Sequence, residues 1–147
     1  FGYRSENAND INSTYELSRT EGFGLEVKRR IMLGNFVLSS GYYDAYFTKA
    51  QKVRKLIKEA TEQMLKENDI LLFPTTPTTA FKIGEINDPI QMYLQDIFTV
   101  HANIVGVPAV SLPMGQHSNN LPFGVQLMSS AFKEDLLYSA SQYILNM

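Results

Sequence analysis

Three short apolar runs closed by Gly and Pro punctuate the second half of the chain, in DILLFPTTPTTAFKIGE from Asp69, in GVPAVSLPMG from Gly106 and in LPFGVQL from Leu121. Runs of this kind read as strands covered on both faces. A helical pattern precedes them. Tyr46, Ala50, Val53, Ile57, Ala60 and Met64 recur at alternating spacings of four and three. That predicts a helix over roughly 43–67 with a narrow apolar seam. Lys55–Glu59, Lys58–Glu62 and Glu62–Lys66 are helical neighbours on the other side, each pair worth about 0.2–0.5 kcal/mol. They read as a solvated face, with a basic docking surface for RNA as the competing reading.

The first forty residues carry two shorter helices. FGYRSENAND reads as a strand end running into a loop. Asn12 or Ser13 is placed to cap a helix whose third position is Glu16, and Gly22 and Gly24 end it. LEVKRRIMLGNFVLSS puts Val27, Ile31 and Leu38 on one face of the next helix. Gly34 lies on the same stripe and costs about 1 kcal/mol relative to Ala, which calls for close approach of another element. Gly41 ends that helix.

Beyond the 43–67 helix, Ile70 to Phe73 is a strand, and Pro74 and Pro77 end its pairing and stiffen the loop. Asn87–Asp88–Pro89 is a turn, and Ile90 to about Ile104 forms one or two short helices closed by Gly106 and Pro108. Val110 and Leu112, then Val125 and Leu127, mark two strands around the polar loop Gly115 to Asn120. A last helix has Glu134 and Asp135 in its first turn, where negative charge is favoured, and buries Leu137, Ala140 and Ile144. The fold class is α/β, a partial mixed sheet covered by helices.

Composition narrows the function classes. At 147 residues, with 44% hydrophobic and 19% charged, the chain has the length and makeup of one globular domain. A net charge of -2 gives no electrostatic reason to bind nucleic acid directly. With no cysteine there is no disulfide framework and no thiolate metal site. No apolar run reaches the roughly 20 residues a bilayer requires. No basic-then-apolar leader opens the chain, and Phe1 in place of Met implies a natural start upstream.

The chemistry-bearing residues are few. His101 and His117 have no matching carboxylate spacing for a zinc site. His117 reads as solvated, and His101 as a core residue or a pocket wall. Ser111, mid-strand between prolines, has no positioned base and reads as structural. GFG at Gly22–Gly24 is not a phosphate loop. Arg29 and Arg30 lie about 100° apart on a helix, so only one can point toward the apolar side, where it would need a carboxylate. Asp96, flanked by Tyr93, Ile97 and Phe98, would need a cationic or amide partner. Together they could clamp the carboxylate and ammonium of an amino acid, or serve as a structural salt bridge or surface charges.

FGYRS, EGFGLEVKRRIMLGNFVLSSGYYDAYFTKAQKVRKLI, DILLFPTTPTTAFKIGE, GVPAVSLPMG and LPFGVQLM together resemble the amidase signature family. GYYDAYFTKAQKVR and PTTPTTAFKIGE are similar to its glutamine-hydrolysing subunits of tRNA-dependent amidotransferases, while PAVSLP and LPFGVQL are patterns of amidases generally. The resemblance implies that residues 1–147 are the C-terminal portion of one amidase domain, with a mixed sheet between helices. It implies a serine nucleophile, a second serine and a lysine in a Gly/Ser-rich region upstream. Ser39–Ser40 and Ser129–Ser130 stand in the wrong context, so no catalytic residue is carried over to this chain. It also implies that Arg29, or Arg30 close behind, holds the α-carboxylate of glutamine, and that Asp96 holds its α-amino group. His101 departs from the neutral residue expected in that pocket lining.

The same resemblance implies partners. Ammonia passes through a channel to a B subunit, in a complex with a C subunit. That partner amidates glutamate or aspartate on misacylated tRNA, and ATP and magnesium belong to it, with no cofactor in this chain. The setting implied is cytoplasmic, or organellar in a eukaryote. Two other readings compete: a portion of a broader-range amidase, for which an amino-acid clamp has no use, and a non-catalytic domain that docks partner subunits.

Overall fold

A computed structural model describes residues 2–147; Phe1, part of the predicted strand end, lies outside them. The chain divides into two compact units, Phe1–Gln51 and Lys52–Met147.

In the first unit residues 2–10 form a loop rather than a strand end. Helix α1 (Ile11–Gly22) is capped by Asp10, not by Asn12 or Ser13. The Asp10 backbone is extended, so its carboxylate accepts from the Ser13 amide at 2.8 Å while the Ser13 hydroxyl accepts from the Asp10 amide at 3.0 Å. Ser13 thus fills the third helical position expected of Glu16, closing a capping box. Gly22 ends α1 as expected, and here a Cβ would lie 2.9 Å from Tyr3 Cδ1. Gly24 caps α2 (Leu25–Val37). The close approach expected at Gly34 is not present: an added Cβ would meet nothing within 4 Å. The long helix expected from Tyr43 opens instead as a π-helical turn (Tyr43–Thr48), where the Phe36 ring meets Tyr42 and Tyr46 in tilted contacts with centroids 4.2 and 5.8 Å apart.

Helix α3 (Lys49–Glu67) then runs into the second unit. Its buried line is Thr61 and Leu65 with half-buried Ile57, and not the expected seam: Val53, Ala60 and Met64 are exposed. Polar bonds set the helix rotation. Thr61 Oγ1 pairs with His101 Nε2 at 2.9 Å, and Arg54 Nε donates to the Ile104 carbonyl at 2.8 Å. Two of the three predicted ion pairs form on its outer side, Lys55–Glu59 and Lys58–Glu62, each at 3.6 Å.

Strands β1 (Ile70–Pro74), β2 (Ala109–Gln116) and β3 (Pro122–Ser129) form a sheet in the order β1-β3-β2, antiparallel throughout. Helices α4 (Pro89–Leu94) and α5 (Ile97–Val105) connect β1 to β2, and Gly106 ends α5 at φ 81°. Period-two alternation divides the sheet's faces. Leu127 and Leu112 pack with Leu137 of α6 (Glu134–Leu145), flanked by Val110, Val125, Ile70, Ala140 and Ile144. On the opposite face Gln126 donates to the Phe98 carbonyl of α5 at 3.0 Å, and Phe73 lies 6.4 Å from Phe98 and 6.1 Å from His101. Burial on both faces is therefore reached over Gln126–Ser129 of β3, whereas Leu72 on the edge strand is 58% exposed. Among the described residues no helix is long and apolar enough to cross a membrane.

Candidate functional site

Helix α2 brings Arg29 and Arg30 onto one carboxylate. Arg29 Nη1 lies 3.8 Å from Glu26 Oε2, and Arg30 Nε 3.2 Å from Glu26 Oε1. The spacings of three and four place all three side chains on adjoining turns. The arginine side chains are 65% and 67% exposed, so each pair is worth only about 0–1 kcal/mol. What the cluster offers is geometry: two guanidinium groups beside each other, already oriented on a carboxylate.

Asp96 stands at the corner between α4 and α5. Asp88 caps α4 by accepting from the Ile90 amide at 3.0 Å, with Pro89 preset in the first helical turn. The corner closes through Gln95 N to Met92 O and Asp96 N to Tyr93 O, both 3.2 Å. At φ -96° and ψ 3°, Asp96 is outside the extended geometry a capping side chain uses, and its carboxylate makes no cap bond. Its carbonyl instead accepts from Val100 N at 2.9 Å and Thr99 Oγ1 at 3.1 Å. The expected apolar surroundings are not what the acid meets; it is exposed.

Sequence reasoning missed the hydroxyl-rich loop after β1. Thr75 Oγ1 pairs with Ser111 Oγ at 2.8 Å, which accounts for Ser111 as a structural serine, and Thr75 N donates to Gly124 O at 3.0 Å. Gly124 has no room for a side chain, since a Cβ would lie 2.8 Å from the Leu112 carbonyl. Thr78 Oγ1 donates to Gln95 Oε1, and Asn119 Nδ2 to Thr79 Oγ1, both at 2.9 Å. The loop separates a hollow of about 400 Å³ walled by Pro74, Thr76, Pro77, His117 and Phe123 from one of about 490 Å³ walled by Glu85, Gln91, Gln95 and Asn119. The signal was four threonines set around a proline. His117 is exposed beside the first hollow, and His101 is a half-buried core residue through its bond to Thr61. Among the described residues no group of three or more His, Cys, Asp or Glu could hold a metal ion.

The amidase family model matches residues 2–138, and the chain belongs to the amidase family. It is similar to the A subunit of the glutamyl-tRNA(Gln) amidotransferase of Halothermothrix orenii, 60% identical over 134 residues that make up 91% of this chain and 28% of that protein. The corresponding protein of Fusobacterium nucleatum, of the same name, is 55% identical over 137 residues, 93% of this chain and 28% of that one. The crystal structure of the A subunit from Thermotoga maritima is 52% identical and superposes with a TM-score of 0.60 over 83% of this chain and 27% of that chain. The chain thus spans less than a third of the length of the relatives it matches. The expected family and the α/β fold class are borne out. The expected mixed sheet is represented here by antiparallel strands alone.

Proposed function

We propose that this chain acts as the C-terminal part of the glutamine-hydrolysing subunit of a tRNA-dependent amidotransferase, where it forms a wall of the glutamine site. The observation that carries this reading is 60% identity over 134 residues to a glutamyl-tRNA(Gln) amidotransferase protein. Either Arg29 or Arg30 holds the α-carboxylate of glutamine through its planar fork, and Asp96 faces the α-ammonium. This grip distinguishes an amino acid from a simple amide, because a substrate lacking either charge forfeits the matching ion pair. The Ser-Ser-Lys centre that attacks the side-chain amide belongs to the remainder of the full-length protein. Ammonia released there travels to the B subunit, in a complex with the C subunit. ATP and magnesium at that partner activate the acyl group on misacylated tRNA. The setting is the cytoplasm, or an organelle in a eukaryote.

The test uses the full-length protein carrying this sequence, assembled with its partners. Asp96→Asn is expected to raise the KM for glutamine by about tenfold or more while ammonia-driven amidation stays within about twofold. An unchanged glutamine KM would remove Asp96 from the site. Hydrolysis of glutamine by the 147-residue chain alone would overturn the assignment of the chemistry to the rest of the protein.

A further inference from the structure

We infer that Thr78 is a positioning residue for Asp96, acting through Gln95, so that the loop after β1 sets the affinity for the amino group of the substrate. The inference rests on the reading of Asp96 given above. Asp96 has no cap bond of its own, and its backbone lies outside extended geometry. No cap bond to its own helix therefore orients the carboxylate. Its position follows from the α4–α5 corner, and the preceding residue, Gln95, is fastened to the loop after β1. Gln95 Oε1 accepts from Thr78 Oγ1 at 2.9 Å, seventeen positions away in the chain.

The donor end of this strut is anchored independently. Pro74 and Pro77 restrict the loop on either side of Thr75 and Thr76, and Thr76 Oγ1 donates to the Thr78 carbonyl at 2.8 Å. Asn119, from the β2–β3 hairpin, donates to the neighbouring Thr79 hydroxyl at 2.9 Å. That hairpin is itself closed by hydrogen bonds: His117 N bonds to Leu121 O at 2.9 Å and Asn120 N to His117 O at 2.8 Å, with Asn120 at φ 63°. A chain of side-chain bonds thus runs from the sheet's hairpin through the threonine loop to the residue beside Asp96. Supporting bonds of this kind hold a binding group within the narrow tolerance that recognition demands.

The experiment measures glutamine and ammonia kinetics on the full-length protein in its complex. Thr78→Val keeps the side-chain shape and removes the donor. It is expected to raise the glutamine KM by about three- to tenfold, with kcat and the ammonia-driven rate within about twofold. Thr78→Ser restores the hydroxyl and is expected to return KM to within about twofold of the parent. A wild-type KM in Thr78→Val would overturn the inference. So would a fall in the ammonia-driven rate that Thr78→Ser does not rescue, since that is loss of structure. Asp96→Asn run alongside separates the two claims. If it raises KM while Thr78→Val does not, the strut falls and the clamp stands. If neither moves KM, the clamp itself falls and the strut with it.

Discussion

At the scale of single residues, titration gives the first unit a defined pH window. Asp10 is held below its ordinary range first by the Ser13 amide, and Glu21 first by the Tyr3 hydroxyl, which donates to it at 2.5 Å. A lowered folded value contributes stability above the unfolded pKa, and that contribution is lost as pH falls through the folded value. Tyr3 is pushed up from 10.0 by the same bond, so its share is complete below the unfolded value and is lost as pH rises through the raised one. Helicity of the first unit should therefore decline on both the acid and the alkaline side. Circular dichroism of Tyr3→Phe should show the alkaline decline removed; an identical profile would show that the bond contributes nothing. Gly124→Ala sets a Cβ against the Leu112 carbonyl and should destabilise the sheet by about 1–3 kcal/mol in urea unfolding. Of the two arginines, only one should behave as a glutamine-binding variant when changed to Ala in the full-length complex, while the other acts through stability. Equal losses of affinity from Arg29→Ala and Arg30→Ala would mean that both touch the ligand.

Among the elements, α3 shows best what was legible and what was not. Its C-terminal end, two of its three expected ion pairs and the strand after it follow from spacing in the sequence, whereas the π-helical opening at Tyr43–Thr48 does not. Its buried face does not, because Thr61 and Arg54 find partners 40 and 50 positions away, and no local periodicity encodes such bonds. Asn12 and Ser13 lie inside the first helical turn, and Asp10 is the cap because its own backbone is extended and its carboxylate reaches the Ser13 amide. The Pro-, Gly- and Asp-marked ends of α4, α5 and α6 were readable, since those residues act on their own backbone. Arg29, Arg30 and Asp96 were legible as candidates by residue type, whereas the threonine loop was hidden because its role lies in contacts to Gln95 and Asn119. Thr61→Val should cost about 1–2 kcal/mol by leaving His101 without its partner, seen as a lower urea midpoint at unchanged slope. A midpoint matching the parent would mean that the seam, and not the hydroxyl, holds the helix. Gly34→Ala should stabilise the isolated chain by up to about 1 kcal/mol, since open space surrounds the site. A loss of stability would reveal a neighbour pressed against α2.

For the whole molecule, the distribution of burial decides which part is firm. Every buried hydrophobic residue among those described, from Leu65 to Leu137, belongs to the second unit, while α1 and α2 bury none. Cooperative protection follows buried apolar contact. Hydrogen exchange should therefore release the amides of α1 and α2 well before those of β3, and equal protection of the three would refute this division.

The strand order carries a further consequence, for synthesis. β3 joins β1 to β2, yet it is the last of the three to be made: β1 ends at residue 74 and β3 begins at residue 122. At a ribosomal speed of about 5–20 residues per second, β1 emerges several seconds before β3, the strand it pairs with here. Its brevity and its terminal proline blunt it as a template for neighbouring nascent chains during that interval.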